Sequence, residues 1–173
     1  MKKIAVIIAN GTEEIECLTP VDVLRRANAT VDLISVSGEY PTCSHNVTVK
    51  ADKIVENADF SVYDCMVIPG GMPGATNIAS TEKVISALKE YKAQGKVIAS
   101  ICASPAVVLK EKNIIENEKA TCYPAQAFID TLGKNYTGSD VEVCGNLITA
   151  NGPKSAMKFS LAICEKLGLN PKF

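Results

Sequence analysis

Val97-Ile98-Ala99-Ser100-Ile101-Cys102-Ala103-Ser104-Pro105 reads as a buried strand that carries one reactive atom into a turn and then opens a helix. Val97 to Ile101 is apolar and β-favouring, as expected of a parallel strand covered on both faces. Ser100 and Ser104 stand two residues either side of Cys102, where a sharp strand-to-helix elbow needs small side chains. This is the layout of a nucleophile elbow, with sulfur in place of the serine oxygen. A thiol at a helix N-terminus also feels the positive end of the macrodipole, which favours the thiolate. The same pattern suits a structural cysteine that packs as a small hydrophobe.

On both sides of this stretch, strand and helix patterns alternate. Lys3 to Ala9 is a continuous apolar run, followed by a turn through Asn10-Gly11-Thr12. Thr12 is the expected N-cap, Glu13 and Glu14 suit a first helical turn, and the helix should reach about Ala27. Val31–Ser37 is a second strand, and 47–55 reads as short β pieces of weak register. Cys65–Pro69 is a third core strand, ending in Gly70-Gly71. Thr81 should cap a helix to about Lys92, closed by Gln94-Gly95. A helix from Ala103 to about Lys110 leaves the elbow. Leu147–Ala150 is a fifth core strand, and Pro153 begins a final helix. The alternation predicts an α/β fold, an open and mostly parallel sheet with helices on both faces, formed by residues 1–173 as a single domain. Ligands in such folds sit at the carboxyl ends of the strands, which gathers Glu13, Glu14, Glu16, Gly70, Gly71, Cys102 and Gly152 along one sheet edge.

Composition narrows the function classes. The 173 residues carry a formal net charge of -1, with Lys and Arg scattered, so no nucleic acid or anionic membrane is expected as partner. No apolar run is long enough to span a bilayer. Met1-Lys2-Lys3-Ile4 is basic then apolar, but the run ends at Ala9 without a small-residue cleavage site, so it reads as a strand rather than an export signal. The seven cysteines are widely spaced with no C-x-x-C pair, which points to free thiols in a reducing, cytoplasmic compartment. With one histidine, His45, a metal site is not expected.

Glu16 falls early on the first helix and can face Cys102. An ionised carboxyl would repel a thiolate; a protonated one would donate a hydrogen bond to it. Glu13, Glu14 and Glu16 equally suit a solvated acidic helix start. Gly70-Gly71 lets backbone amides approach a ligand and, with the Ala103 amide, form an oxyanion hole, or else makes a plain tight turn. A Cys-His-Asp triad finds little support, because His45 lies in a polar loop that more often faces solvent.

Several ordered segments resemble one family. Ala9-Asn10-Gly11-Thr12-Glu13-Glu14-Ile15-Glu16, Thr19-Pro20-Val21-Asp22-Val23-Leu24-Arg25-Arg26, Val67-Ile68-Pro69-Gly70-Gly71, Ile101-Cys102-Ala103-Ser104-Pro105 and Asn151-Gly152-Pro153 with Phe159-Ser160-Leu161-Ala162-Ile163 are similar to motifs of the DJ-one/ThiJ/PfpI superfamily, in the branch of the parkinsonism-associated protein deglycase. The resemblance covers nearly the whole chain. It implies a flavodoxin-like three-layer sandwich, no cofactor, and a homodimer. It also implies a glyoxalase forming D-lactate, or a deglycase-type hydrolase, acting on methylglyoxal, glyoxal or their adducts in carbonyl and oxidative stress. A non-enzymatic redox sensor or chaperone working through Cys102 oxidation is the other reading. Cys102 then becomes the nucleophile and Glu16 the protonated carboxyl beside it. Gly70, Gly71, Ala103, Tyr123 and Gly152 border the substrate or oxyanion pocket.

Four departures stand out. Ala103 follows the cysteine where protease-like branches have histidine, which argues against peptidase activity. Tyr123, in Thr121-Cys122-Tyr123-Pro124, takes the place of a pocket histidine, and Ser104 replaces a glycine after the elbow. The chain ends at Phe173 without the extra C-terminal helix of some animal members.

Overall fold

The apolar runs assemble into one sheet because each is buried on both faces and must be covered twice. In the computed structural model, which describes residues 1–173, the strands are β1 (Lys3–Ile8), β2 (Thr30–Ser35), β3 (Lys53–Ile54), β4 (Cys65–Ile68), β5 (Val97–Ile101), β6 (Val141–Cys144) and β7 (Leu147–Ala150). Their order across the sheet is β3-β2-β1-β4-β5-β7-β6. Every neighbouring pair is parallel except β6 with β7. The chain runs outward from β1 to β2 and β3, then returns to β4 on the other side. The crevice between the carboxyl ends of β1 and β4 is therefore the topological switch point.

Alternation along each strand divides the core. Ile4, Val6 and Ile8 of β1 pack with Val67, Ala99 and Ile101 under α1 (Glu14–Arg26) and α5 (Ala156–Leu167). Ala5 and Ile7 pack with Met66, Ile68 and Ile98 under α2 (Gly74–Ala79), α3 (Glu82–Gln94) and α4 (Gln126–Leu132). The result is a three-layer flavodoxin-like sandwich, as expected. On the second face the Tyr91 hydroxyl donates to the carbonyls of Phe60 (2.8 Å) and Tyr63 (3.0 Å), tying α3 to the segment that enters β4.

Local expectations fail where side chains choose another partner. Thr12 is not the cap of α1: its hydroxyl accepts from the Ala9 amide at 2.9 Å, and the Glu13 carboxyl caps by accepting from the Glu16 amide at 2.8 Å. Thr81 precedes α3 but donates its hydroxyl back to the Asn77 carbonyl. Gly95 closes α3 in the left-handed region, as expected. The helix leaving the elbow is a six-residue π-helix, Pro105–Lys110, with Glu111 N bonded to Ala106 O. The 47–55 segment supplies only a Thr42–Thr48 bridge and β3. Neither α2, α4 nor β6 was apparent from the apolar patterning, since each is short and half-polar. No helix is long and apolar enough to cross a membrane.

Candidate active site

The elbow is built from three strand ends. Cys102 follows β5 directly and adopts φ 66°, a left-handed conformation that is rare for a non-glycine residue. Its amide donates to Ala150 O of β7 at 2.9 Å, and its carbonyl accepts from Tyr123 N at 2.8 Å. Ser104, fully buried, donates its hydroxyl to Pro69 O and so ties the far side of the turn to the end of β4. Strain at Cys102 is thus held by backbone bonds on both sides, and the sulfur is left half-buried at the carboxyl edge of the sheet.

Glu16 reaches this point from the first turn of α1. Its side chain is fully buried, its Oε2 accepts from the Gly70 amide at 2.8 Å, and its Oε1 has no hydrogen-bond partner. The carboxyl and the Cys102 side chain both crowd the Cα of Gly70 and lie beside each other. Gly70 permits this contact: a Cβ there would stand 2.6 Å from Cys102 Cβ and 2.7 Å from Glu16 Oε2. Gly71 has φ 86°, and a Cβ would fall 2.4 Å from Glu13 N. Both glycines are required by close approach rather than by the turn alone.

Burial pushes the Glu16 carboxyl up to about 7, helped by Glu13; the Cys102 contact and the Gly70 amide act against it. Burial also pushes the Cys102 thiol well above its ordinary range, reinforced by Glu16 and opposed by the Gly71 and Ala103 amides. Taken together, the pair gives up one proton near neutrality and holds the second far beyond it. The macrodipole expectation for Cys102 is therefore overturned. The π-helix that follows is too short to outweigh burial, and what favours a thiolate here is two local amides.

The other acids are not a solvated helix start. Glu13 and Glu14 are each only 8% exposed. Glu13 caps α1, and Glu14 holds the 42–45 loop, accepting from Ser44 Oγ (3.1 Å) and from the His45 amide. Burial raises Glu14, but His45, backbone amides and Ser44 outweigh it and hold the carboxyl at about 2. The His45 side chain is 75% exposed, with Nδ1 3.0 Å from Glu14 Oε2, so its partner is Glu14 and not the thiol. Ligating atoms of Glu13, Glu14 and His45 lie within 4.8 Å of one another, the grouping best suited to a cation. Most of those atoms are already engaged with each other or with the backbone.

Among the residues expected at the site, Cys102, Glu16, Gly71 and Ala103 converge on the sulfur. The Gly70 amide does not: it is taken by Glu16, which removes it from the expected oxyanion hole. Tyr123 and Gly152 meet beside the elbow, the ring 3.2 Å from where a Gly152 Cβ would lie. With Pro124, Asp140, Asn151, Pro153 and Lys154 they line a cavity of about 450 Å³ whose walls do not include Cys102, Glu16, Gly71 or Ala103. The capping role of Glu13 and the loop-holding role of Glu14 went unseen in the sequence. Glu14 meets a loop some thirty residues away, and only the fold brings the two together.

The profile of the DJ-1/PfpI family matches residues 2–166. The chain is 38% identical over 165 residues to Protein DJ-1 homolog B of Arabidopsis thaliana, covering 95% of this chain but only 37% of that longer protein. It is 31% identical over 183 residues to the glutathione-independent glyoxalase DJ-1 of Schizosaccharomyces pombe, covering 100% of this chain and 95% of that one. The structure matches that of oxidized Toxoplasma gondii DJ-1 with a TM-score of 0.93 at 42% identity, over 96% of this chain and 91% of the other.

Because folding raises the first ionisation of the Glu16–Cys102 pair from the carboxyl's unfolded value near 4.5 to about 7, the contribution to stability is intact below 4.5 and is lost as pH rises through 7. Relative to Glu16→Gln, the wild type should lose on the order of 3 kcal/mol of unfolding free energy between about pH 4.5 and 7.5. Denaturant titrations of both proteins across that range measure it; a constant difference would show that Glu16 titrates as an ordinary carboxyl.

Proposed function

The chain belongs to the DJ-1/PfpI family, and from that premise we propose that it is a cofactor-free, Cys102-dependent glyoxalase or deglycase acting on small dicarbonyls and their adducts. The observation that carries this reading is the buried Glu16 carboxyl against Cys102, with its Oε1 unpartnered. When the pair holds a single negative charge, a proton on Oε1 gives that oxygen a use, as donor to sulfur. The charge then rests on the thiolate, where the Gly71 and Ala103 amides support it.

From that state the thiolate adds to the aldehyde carbon of methylglyoxal. A C–S bond forms, and the carbonyl π pair becomes an alkoxide facing the Gly71 and Ala103 amides. Glu16 gives the alkoxide its proton, leaving a hemithioacetal. The resulting carboxylate removes the proton from the former aldehyde carbon, and the electron pair moves through an enediol to the neighbouring carbonyl oxygen. Reprotonation at the second carbon leaves a lactoyl thioester, which water hydrolyses to lactate and free Cys102. The first carbon is oxidised and the second reduced, so no external redox partner is needed.

A second reading, redox sensing, is favoured by the partial exposure of Cys102, which among the other cysteines only Cys144 shares. Thiolate and two molecules of peroxide give a sulfinate and two waters, and the product oxygens would meet the same two amides and the Glu16 proton. Peptide mapping after mild peroxide should find Cys102 as the main site of two-oxygen addition. Even oxidation over all seven cysteines would rule this reading out.

Lactate formation from methylglyoxal should fall on the order of 10³-fold or more in Cys102→Ser, a size typical of losing a covalent nucleophile. In the wild type, kcat/KM should rise through about pH 7 as the pair gives up its first proton. Steady-state assays across pH measure both. Substantial turnover by Cys102→Ser, or a flat profile through neutrality, contradicts the mechanism.

A further inference from the structure

The peptide group between Pro69 and Gly70 is bonded on both sides by buried side chains. Its carbonyl accepts from the Ser104 hydroxyl at 2.5 Å, and its N–H, that of Gly70, donates to Glu16 Oε2 at 2.8 Å. Ser104 and Glu16 are each 0% exposed, so water does not share in either bond. Among the side-chain hydrogen bonds, the one from Ser104 alone joins the end of β4 to the elbow. Little slack surrounds this peptide: a Cβ on Gly70 would stand 2.6 Å from Cys102 Cβ, 2.7 Å from Glu16 Oε2 and 3.0 Å from Ala103 N. Displacing it therefore moves the carboxyl relative to the sulfur. A trans peptide points its C=O and N–H in opposite directions, so Ser104 and Glu16 take it from opposite sides. Hydrogen bonds in such a series polarise one another, and a donor on the oxygen makes the N–H a stronger donor in turn.

We propose that Ser104 is a positioning residue that holds the Glu16 carboxyl in place beside Cys102 by acting through the Pro69–Gly70 peptide. The hydroxyl pins the peptide against the elbow and strengthens the Gly70 N–H that anchors Oε2, which leaves Oε1 as the oxygen without another partner. Glycine, the residue of the resembling motif at this place, fills the turn but carries no donor, so this link belongs to the chain's own sequence. The proposal rests on reading Glu16 and Cys102 as the working pair. The titratable groups that act on the pair are its own two members and Glu13, and Ser104 adds no charge to them. Loss of the hydroxyl therefore acts as a weaker anchor. The Gly70 amide favours the ionised carboxyl, so weakening it delays the first ionisation of the pair to higher pH. A looser Glu16 donor also supports the thiolate less, which moves the step the same way.

The rate at which iodoacetamide alkylates Cys102, read by peptide mapping across pH, is compared in wild type, Ser104→Ala, Ser104→Gly and Ser160→Ala. Ser160 is the control: it is equally buried and donates its hydroxyl to Ala156 O at 2.7 Å within α5. In both Ser104 variants the midpoint of the thiolate step should lie above that of the wild type. At pH 7 their Cys102 should react on the order of 3- to 10-fold more slowly, the effect of one hydrogen bond. Ser160→Ala should follow the wild type. In nitrogen-15 NMR the Gly70 amide proton should move upfield in the Ser104 variants, the sign of a weaker bond to Glu16. An unchanged midpoint and an unchanged Gly70 amide in folded Ser104→Gly overturn the proposal. A midpoint moved to lower pH, or an equal upward shift in Ser160→Ala, also overturns it. Alkylation needs no turnover, so a wild type that forms no lactate counts against the dicarbonyl chemistry while the role of Ser104 is still decided by these rates.

Discussion

A carboxyl group with no exposed surface, pressed against a thiol and given one backbone amide, is the constraint around which the site is arranged. Burying an ionised carboxylate without full compensation is costly, so the Glu16–Cys102 pair keeps both its protons to about pH 7. In the proposed mechanism the Glu16 proton is what sets Cys102 apart from an inert core cysteine. Without it, the thiol would have to ionise beside a second negative charge. With it, the carboxyl becomes a donor, and the sulfur can hold charge with help from the Gly71 and Ala103 amides.

The fold exists around this contact in a specific sense. β1 and β4 part at the switch point, and the two segments that leave them, α1 and Gly70-Gly71, fill the crevice from either side. Cys102 arrives from β5 and is held in its left-handed conformation by bonds to Ala150 and Tyr123. No room remains for a Cβ at position 70, so the closeness of sulfur and carboxyl is a packing result as much as an electrostatic one. The clamp between residues 10–14 and 42–45 holds the same end of α1 from outside.

Much of this was legible in the residues before any coordinates. Runs such as Lys3–Ala9 and Val97–Ile101 announce parallel strands because burial on both faces leaves no polar alternation. The elbow at Cys102 and the strand-end rule place the right segments on one edge. Motif resemblance assigned Glu16 its role; residue type alone left it level with Glu13 and Glu14. What could not be read were choices among competing hydrogen-bond partners. Thr12 looks like a cap and bonds backward to Ala9, while Glu13 caps instead. Gly70 looks like an oxyanion donor and is taken by Glu16. The sign of the helix effect on Cys102 also depended on a length and a burial that only the fold reveals.

The central claim is that, with one negative charge on the pair, the proton sits on Glu16 and the charge on sulfur. Carbon-13 NMR of the labelled Glu16 carboxyl, recorded with the ultraviolet thiolate absorbance of wild type minus Cys102→Ser, tests it across pH. The account predicts that thiolate absorbance appears in the step near pH 7 at which the pair gives up its first proton, while the carboxyl carbon does not move to its ionised shift in that step. A carboxyl that ionises near 7 while Cys102 stays a thiol beyond the ordinary value of 9.0 would contradict it.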